Sequence, residues 1–335
     1  MPRLTVLQSF PTPRPTTNPY LIMLAERLER TGQVRVLTFG YRTALLGRYD
    51  VFQVHWPEIL LHGSSPLKKL ARQLLAFAFM IRLAITRTPV VRTVHNVERP
   101  EGLTRLDHRL LDLMDRLTTL RIRLNRHTPV PAGAPSMIIP HGHYRDWFAG
   151  HATESLVPGR IGYVGLIRRY KGVERLLETF AGTDADVTLM IGGQPSTAEL
   201  AEAITAAAAA DARITVVPRF LDDAELVSIV TGSELIVLPY RLMHNSGGTL
   251  AALSLNRPVL VPDNEVNRDL ADETGPGWVH LFDGELRAED LITTLDRVRQ
   301  PRTAEPRLVG RDWPELAAAH LAGYRQAIAI RRAGG

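Results

Sequence analysis

Near the middle of this 335-residue chain an apolar run, Gly162-Tyr163-Val164-Gly165, gives way to Leu166-Ile167-Arg168-Arg169-Tyr170-Lys171-Gly172-Val173. A helical pattern then begins (Val173, Leu176, Leu177, Phe180). A strand that feeds a basic loop and then opens a helix is suited to holding a phosphate. The first turn of the helix has N–H groups without intrahelical partners, and its dipole favours negative charge. Arg168 can add a bidentate fork and Lys171 a point charge. A second cluster, Leu238-Pro239-Tyr240-Arg241-Leu242-Met243-His244-Asn245-Ser246-Gly247-Gly248-Thr249-Leu250, repeats the order of strand, loop, small-residue turn and helix. Glycines at 247 and 248 admit a ligand close to the backbone, and Ser246 and Thr249 add hydroxyl donors. Two such loops in one domain suit the two phosphates of a diphosphate. The competing explanation of the second loop is a tight turn that needs glycine.

The elements around these loops read as alternating strands and helices. In the first half, strands are expected at Leu4–Gln8, Val34–Phe39, Asp50–Val54 and Pro89–Val94, with a helix at Tyr20–Arg30. In the second half, strands are expected at Arg160–Val164, Val187–Ile191, Ile214–Val217, Glu234–Pro239 and Pro258–Val261. Helices are expected after Asp222, from Ser246 to Leu255 and from Trp313 to Arg332. This alternation predicts parallel sheets with helical crossovers. Ser9, His55 and His95-Asn96 each follow the C-terminal end of a strand, the edge at which open α/β sheets bind ligands.

Composition narrows the classes. A chain of 335 residues with 45% hydrophobic and 22% charged residues suits two ordinary soluble domains. It has no cysteine, so disulfides and cysteine metal sites or nucleophiles are excluded. No Walker sequence and no GxGxxG fingerprint follow a strand, which disfavours a kinase or a nicotinamide dehydrogenase. No metal is expected, because no His and carboxylate spacing has a ligand pattern. Met1-Pro2-Arg3 leads directly into the first strand, so no signal peptide is expected, and a cytoplasmic location is. The net charge of +5 is unevenly spread: residues 1–150 carry 21 Lys/Arg against 10 Asp/Glu, and residues 151–335 carry 19 against 25. The basic half suits an anionic partner, with nucleic acid and anionic lipid as the candidates. No nucleic-acid recognition motif is present, and no nucleic acid is expected as a partner.

These motifs together resemble the nucleotide-sugar glycosyltransferases of the GT-B fold, and most nearly family 4-type enzymes and bacterial exopolysaccharide hexosyltransferases. The resemblance rests on His55-Trp56-Pro57-Glu58, Val94-His95-Asn96, Ile139-Pro140-His141-Gly142-His143-Tyr144, Tyr170-Lys171-Gly172-Val173, Leu238-Pro239-Tyr240-Arg241 with Ser246-Gly247, and Arg257-Pro258-Val259-Leu260-Val261-Pro262-Asp263. It implies an α/β chain of two Rossmann-like domains, with parallel sheets facing a central cleft. Residues 1–155 would bind the acceptor, 156–310 the nucleotide sugar, and a helix in 311–335 would pack back toward the first domain. The implied reaction moves a hexose of mannose or glucose type from a UDP- or GDP-sugar to a saccharide or polyprenyl-linked acceptor, with no cofactor. Arg168, Lys171, Ser246, Gly247, Gly248 and Thr249 would hold the diphosphate. Gly193, Tyr240, Asp263, Asn264 and Glu265 would lie near the nucleoside or sugar. Asn18, Tyr20, His55 and Glu58 would lie near the acceptor, and His95 would face the donor sugar.

The chain departs from family 4 at one point. The two glutamates those enzymes carry eight positions apart are here Met243 and Ala251. Both a retaining and an inverting course stay open. An inverting course needs a general base, for which Glu58, Glu98 and Glu101 are candidates, with Glu101 preferred because it closely follows His95-Asn96.

Pro66–Arg87 is apolar and punctuated by Lys68, Lys69, Arg72, Arg82 and Arg87, and its uncharged run Gln73–Ile81 is too short to span a bilayer. It reads either as a basic amphipathic helix on the inner face of an anionic membrane or as a buried crossover helix. Leu106–Arg126 is expected to form a second arginine-rich helix. Two other readings of the chain compete: another GT-B-like enzyme such as a UDP-sugar epimerase, and a basic nucleic-acid-binding protein.

Overall fold

The computed structural model describes residues 3–241 and 243–334. Met1-Pro2 and Leu242, which belong to stretches read above, lie outside them. The chain forms two compact units. One runs up to Gly142 and resumes at Gly310; the other spans His143–Val309. The divide precedes the expected 155/156 because the segment after Gly142 is fastened to the second unit. There the Tyr144 N–H donates to Ser254 Oγ at 2.8 Å and Arg145 donates to the Pro306 carbonyl at 2.8 Å.

The first unit contains β1 (Leu4–Gln8), α1 (Pro19–Arg30), β2 (Val34–Leu37), α2 (Tyr41–Leu46), β3 (Val51–Val54), a 3₁₀ turn (Pro57–Leu61), α3 (Pro66–Ile85), β4 (Val90–Val94), α4 (Arg105–Leu117), β5 (Thr118–Arg123) and β6 (Ser136–Ile138). Its six strands are all parallel, in the order β2-β1-β3-β4-β5-β6. Strands flanked by helices on both faces must be apolar, and β3 is buried at all four positions. Phe52, Val54, Phe79, Met80 and Met114 join sheet and helices in one core.

The expected helix Leu106–Arg126 is two elements. α4 begins with a capping box between Thr104 and Asp107 and ends at Leu117. From Thr118 the chain is β5, with Leu120 and Ile122 fully buried. The β-branched pair Thr118-Thr119 favours the extended state, and the Thr118 hydroxyl closes the helix end by donating to the Met114 carbonyl at 2.9 Å. Arg121 and Arg123 therefore stand on a strand.

The second unit contains α5 (Arg145–Phe148), β7 (Arg160–Val164), α6 (Val173–Phe180), β8 (Thr188–Gly192), α7 (Ala198–Ala210), β9 (Ile214–Val217), α8 (Asp223–Gly232), β10 (Leu235–Val237), α9 (Gly247–Ser254), β11 (Val259–Pro262), α10 (Glu265–Thr274), β12 (Val279–Phe282) and α11 (Ala288–Val298). Its parallel sheet has the order β12-β11-β10-β7-β8-β9. The order reverses direction at β7 and β10, whose C-terminal ends carry the two glycine-bearing loops. The final helix, α12 (Trp313–Ala333), returns to the first unit and packs along α1, with Trp313 and Tyr324 buried.

Candidate active site

In the first unit, β1, β3 and β4 are neighbours, so their C-terminal ends bring Gln8, Ser9, His55 and His95 together. The His55 N–H donates to Ser9 Oγ at 3.1 Å. His55 Nδ1 and His95 Nε2 are 3.0 Å apart, and His55 Nε2 is 3.1 Å from Gln8 Oε1. Gln8 Nε2 donates to Gln53 Oε1 at 2.9 Å, and Gln53 Nε2 donates to Thr93 Oγ1 at 2.9 Å. From α12 the Tyr324 hydroxyl also donates to Gln53 Oε1. These interior polar groups are satisfied by one another, as burial requires.

The rings of Tyr20, Trp56 and His141 enclose the pair. Trp56 stacks on His95 with centroids 4.1 Å apart, and Tyr20 meets the edges of His55 and His95 at 5.8 and 5.3 Å. The Tyr20 and His141 centroids are 4.6 Å apart. Burial holds the histidines neutral: His55 is pushed down to about 3, His141 to about 4, and His95 well below the ordinary histidine value, with further lowering by neighbouring histidines at His55 and His95 and by Arg311 at His141.

A cavity of about 310 Å³ opens beside them, bordered among others by Trp56, Glu58, Arg92, His95, Glu98 and Arg99. Arg92 and Arg99 both reach Asp115, Arg99 at 3.0 Å. Burial raises the Glu58 carboxyl above its ordinary value, opposed by Arg92, His62 and Arg99. Glu101, the base preferred on sequence, is exposed and does not border this cavity; Glu58 and Glu98 do. Asn18 caps α1, its side chain accepting from the Tyr20 N–H at 3.0 Å. Tyr20 is buried in the ring cluster, with its backbone held by that cap.

In the second unit, the loops after β7 and β10 are bonded to each other. The Arg241 N–H donates to the Tyr170 carbonyl at 2.9 Å. Gly172 has φ +69°, a left-handed conformation, and a Cβ there would stand 2.2 Å from the Pro239 carbonyl oxygen. Only glycine meets both conditions. Lys171 Nζ sits 5.0 Å above the Tyr240 ring. Burial, then Arg168, pushes Lys171 down to about 8. Arg168 is exposed at the start of the turn that carries Lys171.

Ser246 caps α9 by accepting from the Thr249 N–H at 3.1 Å. Gly247 and Gly248 form its first turn with only ordinary contacts around Gly248. Thr249 is buried, and its hydroxyl faces Met243 Sδ at 4.0 Å. Gly193, at the end of β8, packs on the Gly165 backbone so closely that a Cβ would lie 1.8 Å from the Gly165 oxygen. Asp263 is engaged by Arg268 at 2.6 and 2.7 Å. Asn264 caps α10 and donates to the Met243 carbonyl at 3.0 Å, and Glu265 is exposed on the first turn. The structure thus places Arg168, Lys171, Tyr240, Ser246, Gly247 and Gly248 on one linked pair of loops, whereas Thr249 and Asn264 help to hold the second loop and Asp263 is paired with Arg268 on α10.

Sequence reasoning missed Gln8, Gln53 and Tyr324. The first two carry a visible signal: a glutamine within each of the apolar strands Leu4–Gln8 and Val51–Val54. Among the described residues no His, Cys, Asp and Glu group is arranged to hold a metal ion.

No family model matches the chain. It is 45% identical over 329 residues to the GDP-mannose:glycolipid 4-beta-D-mannosyltransferase of Xanthomonas campestris pv. campestris, covering 98% of this chain and 93% of that protein. Among solved structures, Anabaena HepE in complex with UDP and glucose matches with a TM-score of 0.60 and 15% identity, over 99% of this chain and all of that one. The sucrose-phosphate synthase of Thermosynechococcus elongatus matches with a TM-score of 0.61 and 14% identity, over 99% and 98%. The fold is therefore GT-B.

Proposed function

This chain belongs to the glycosyltransferase family of the Xanthomonas GDP-mannose:glycolipid 4-beta-D-mannosyltransferase, and we propose on that premise that it transfers mannose from GDP-mannose to a glycolipid. It is a hexosyltransferase; the epimerase and nucleic-acid readings are set aside by the 45% identity over nearly the whole of both chains, which is the observation that carries the assignment. The linked loops after β7 and β10 are consistent with it. Arg168, Lys171 and the first turns of α6 and α9 would stabilise the departing diphosphate by preorganised charge and N–H groups.

The relative's name specifies a β bond. The mannosyl phosphate bond of GDP-mannose is α, so forming a β product inverts C1. In one step the acceptor oxygen bonds C1 from the opposite face, the C1–O bond breaks with its electron pair going to GDP, and a base takes the hydroxyl proton. We assign that base to Glu58, which borders the same cavity as His95 and whose carboxyl is raised above its ordinary value by burial, the direction that makes a carboxylate a better proton acceptor. Absence of the glutamates at Met243 and Ala251 accords with a non-retaining course. His95 borders the same cavity as a neutral ring.

The glycolipid acceptor calls for a membrane surface. Among the described residues no helix is long and apolar enough to cross a bilayer. α3 nevertheless exposes Leu67, Leu70, Leu74, Phe77, Ile81 and Ile85, a single helical stripe opposite its buried face of Ala76, Phe79, Met80 and Leu83. With Lys68 and Arg72 nearby, this stripe fits the interface of an anionic membrane.

The test is a thermal-shift screen with GDP, UDP, ADP and their sugar conjugates, followed by transfer from labelled GDP-mannose to lipid extracts. A ligand of the folded state stabilises by about 2.7 kcal/mol at a hundred times its Kd. A shift with GDP and β-linked product in the lipid phase is expected; a shift confined to UDP compounds sinks the donor assignment.

A further inference from the structure

Three arginines border the cavity that Glu58 borders: Arg92 from β4, Arg99 from the loop after it and Arg121 from β5. All three end on one residue, Asp115, in the last turn of α4. Asp115 Oδ1 accepts from Arg92, its Oδ2 accepts from Arg99 at 3.0 Å, and its backbone carbonyl accepts from Arg121 at 3.0 Å. The C-terminal end of a helix carries partial negative charge, so α4 favours cations at this point. Glu58 reaches the cavity from the 3₁₀ turn, yet among the described residues no lysine or arginine forms an ion pair with it. A half-buried carboxylate beside guanidinium groups ordinarily draws one of them into a charged hydrogen bond. Here Arg92, His62 and Arg99 act on Glu58 only through space, each opposing the effect of burial. The remaining acid on the cavity wall is Glu98, and the rings of His55 and His95 are neutral. Without the Asp115 carboxylate, Arg92 would lose its ion pair, and Glu58 is the acidic group whose charge already acts on it. Arg99 would keep a partner, since it also donates to Asp112 at 2.7 Å.

We propose that Asp115 is a positioning residue: it collects the three cavity arginines at the end of α4 and so leaves the Glu58 carboxylate without an ion pair, able to accept from a hydroxyl. This rests on the assignment of Glu58 as the base. Asp115 touches no reacting atom in this account and acts through the arginines. The arrangement keeps positive charge in the cavity wall while sparing the one carboxylate that has to take a proton.

The experiment is ¹³C NMR titration of the full-length protein labelled at glutamate side-chain carboxyls, with the Glu58 signal identified as the one missing from Glu58→Gln. In the wild type, Glu58 should titrate above the ordinary glutamate range. Asp115→Asn frees Arg92 to pair with Glu58, which favours the charged carboxylate, so the midpoint should move to lower pH. The acid limb of the kcat profile should move the same way, and kcat at pH 7 should fall on the order of ten-fold with the KM for GDP-mannose little changed. Adding Arg92→Met to Asp115→Asn should return the midpoint toward that of the wild type. Asp112→Asn removes the same charge from the same helix but touches only Arg99, and it should leave Glu58 nearly unaltered. A wild-type midpoint at or below the ordinary glutamate value overturns the proposal, and that measurement needs no variant to fold. An unaltered midpoint in Asp115→Asn, an equal shift in Asp112→Asn, or a double variant that titrates like Asp115→Asn also overturns it. Full transfer by Glu58→Gln, with the carboxyl shifts as expected, would remove the assignment of the base while leaving the arginine control intact, so the two failures are distinguishable.

Discussion

The Cα of Gly172 packs so closely on Pro239 that a Cβ at 172 would stand 2.2 Å from the Pro239 carbonyl oxygen, and Gly172 also holds φ +69°. One glycine thereby clamps the Lys171 loop to the loop leading into α9. Gly172→Ala should cost about 1–3 kcal/mol from strain and displaced backbone, and it should weaken GDP-mannose binding beyond what the loss of stability explains. Gly248→Ala is the contrast, since its Cβ would meet only ordinary contacts at 3.5 Å or more. That variant should melt like the wild type and lose donor affinity if the first turn of α9 approaches the ligand. Calorimetric titration of both variants with GDP checks the pair; unaltered affinity in both would separate these loops from the donor.

Lys171 titrates near 8 because burial and Arg168 both oppose its charge. A bound diphosphate favours the charged form and so raises this value. The affinity it contributes is complete below about pH 7 and should fall by up to about ten-fold per pH unit above 8. Binding of GDP above pH 8 should also take up protons, which titration in buffers of different ionisation enthalpy would reveal. Lys171→Ala should abolish that uptake. Proton-neutral binding at pH 8.5 in the wild type would place Lys171 away from the phosphates.

The two glycine-bearing loops of the candidate site are legible in the sequence. The loops at Arg168–Lys171 and Ser246–Thr249 announce themselves because glycine, basic and hydroxyl residues interrupt apolar runs at strand ends. Their linkage was not legible, since the contact of Gly172 with Pro239 joins segments more than sixty residues apart. β5 is not legible in the sequence because Arg121 and Arg123 prolong the charge pattern of α4, while the strand's burial comes from neighbours β4 and β6 that local pattern cannot show. Glu58 and Glu101 looked alike as loop carboxylates, and only the fold distinguishes the one beside the cavity from the one in solvent.

Asp107 ties α3 to α4. Its carboxylate accepts from Lys69 at 2.8 Å, from Gln73 at 2.8 Å and from the Thr104 N–H at 2.8 Å. Burial alone would raise its pKa, but the hydrogen bonds from Lys69, Gln73 and Thr104 outweigh it and hold the carboxyl well below the ordinary value. The folded pKa is depressed, so this stabilisation is present above about pH 4 and is lost as pH falls through and below that point. Asp107→Ala should destabilise by about 2–4 kcal/mol through the lost cap and the unpaired partners. Its urea midpoint should then vary less with pH between 2 and 5 than that of the wild type; equal pH slopes in the two proteins would contradict the assignment.

The exposed stripe on α3 lies opposite the core face of that helix, so changing its residues leaves the buried Ala76, Phe79, Met80 and Leu83 in place. Replacing Leu70, Leu74 and Phe77 together with glutamate should leave the melting temperature nearly unaltered, and it should abolish flotation with phosphatidylglycerol vesicles. Transfer to a detergent-solubilised glycolipid should survive. Wild-type protein that fails to float at moderate salt would remove the membrane role of this surface.

Glu58 and Glu101 separate two accounts of the base. If Glu58 takes the acceptor proton, Glu58→Gln keeps the shape of the cavity wall and removes the proton acceptor. The kcat should then fall by about 10²–10⁴-fold with little change in the KM for GDP-mannose. The acid limb of the wild-type pH profile of kcat should sit above the ordinary glutamate range, since burial raises the Glu58 carboxyl. Glu101 is exposed and outside the cavity, so Glu101→Gln should retain wild-type kinetics. The reverse result, with Glu101→Gln inactive and Glu58→Gln active, would mean that the acceptor does not bind against Trp56, Glu58 and His95. Slow hydrolysis of GDP-mannose persisting in Glu58→Gln would fit loss of the base with the donor site intact, because the proposed diphosphate loops after β7 and β10 are untouched by that change.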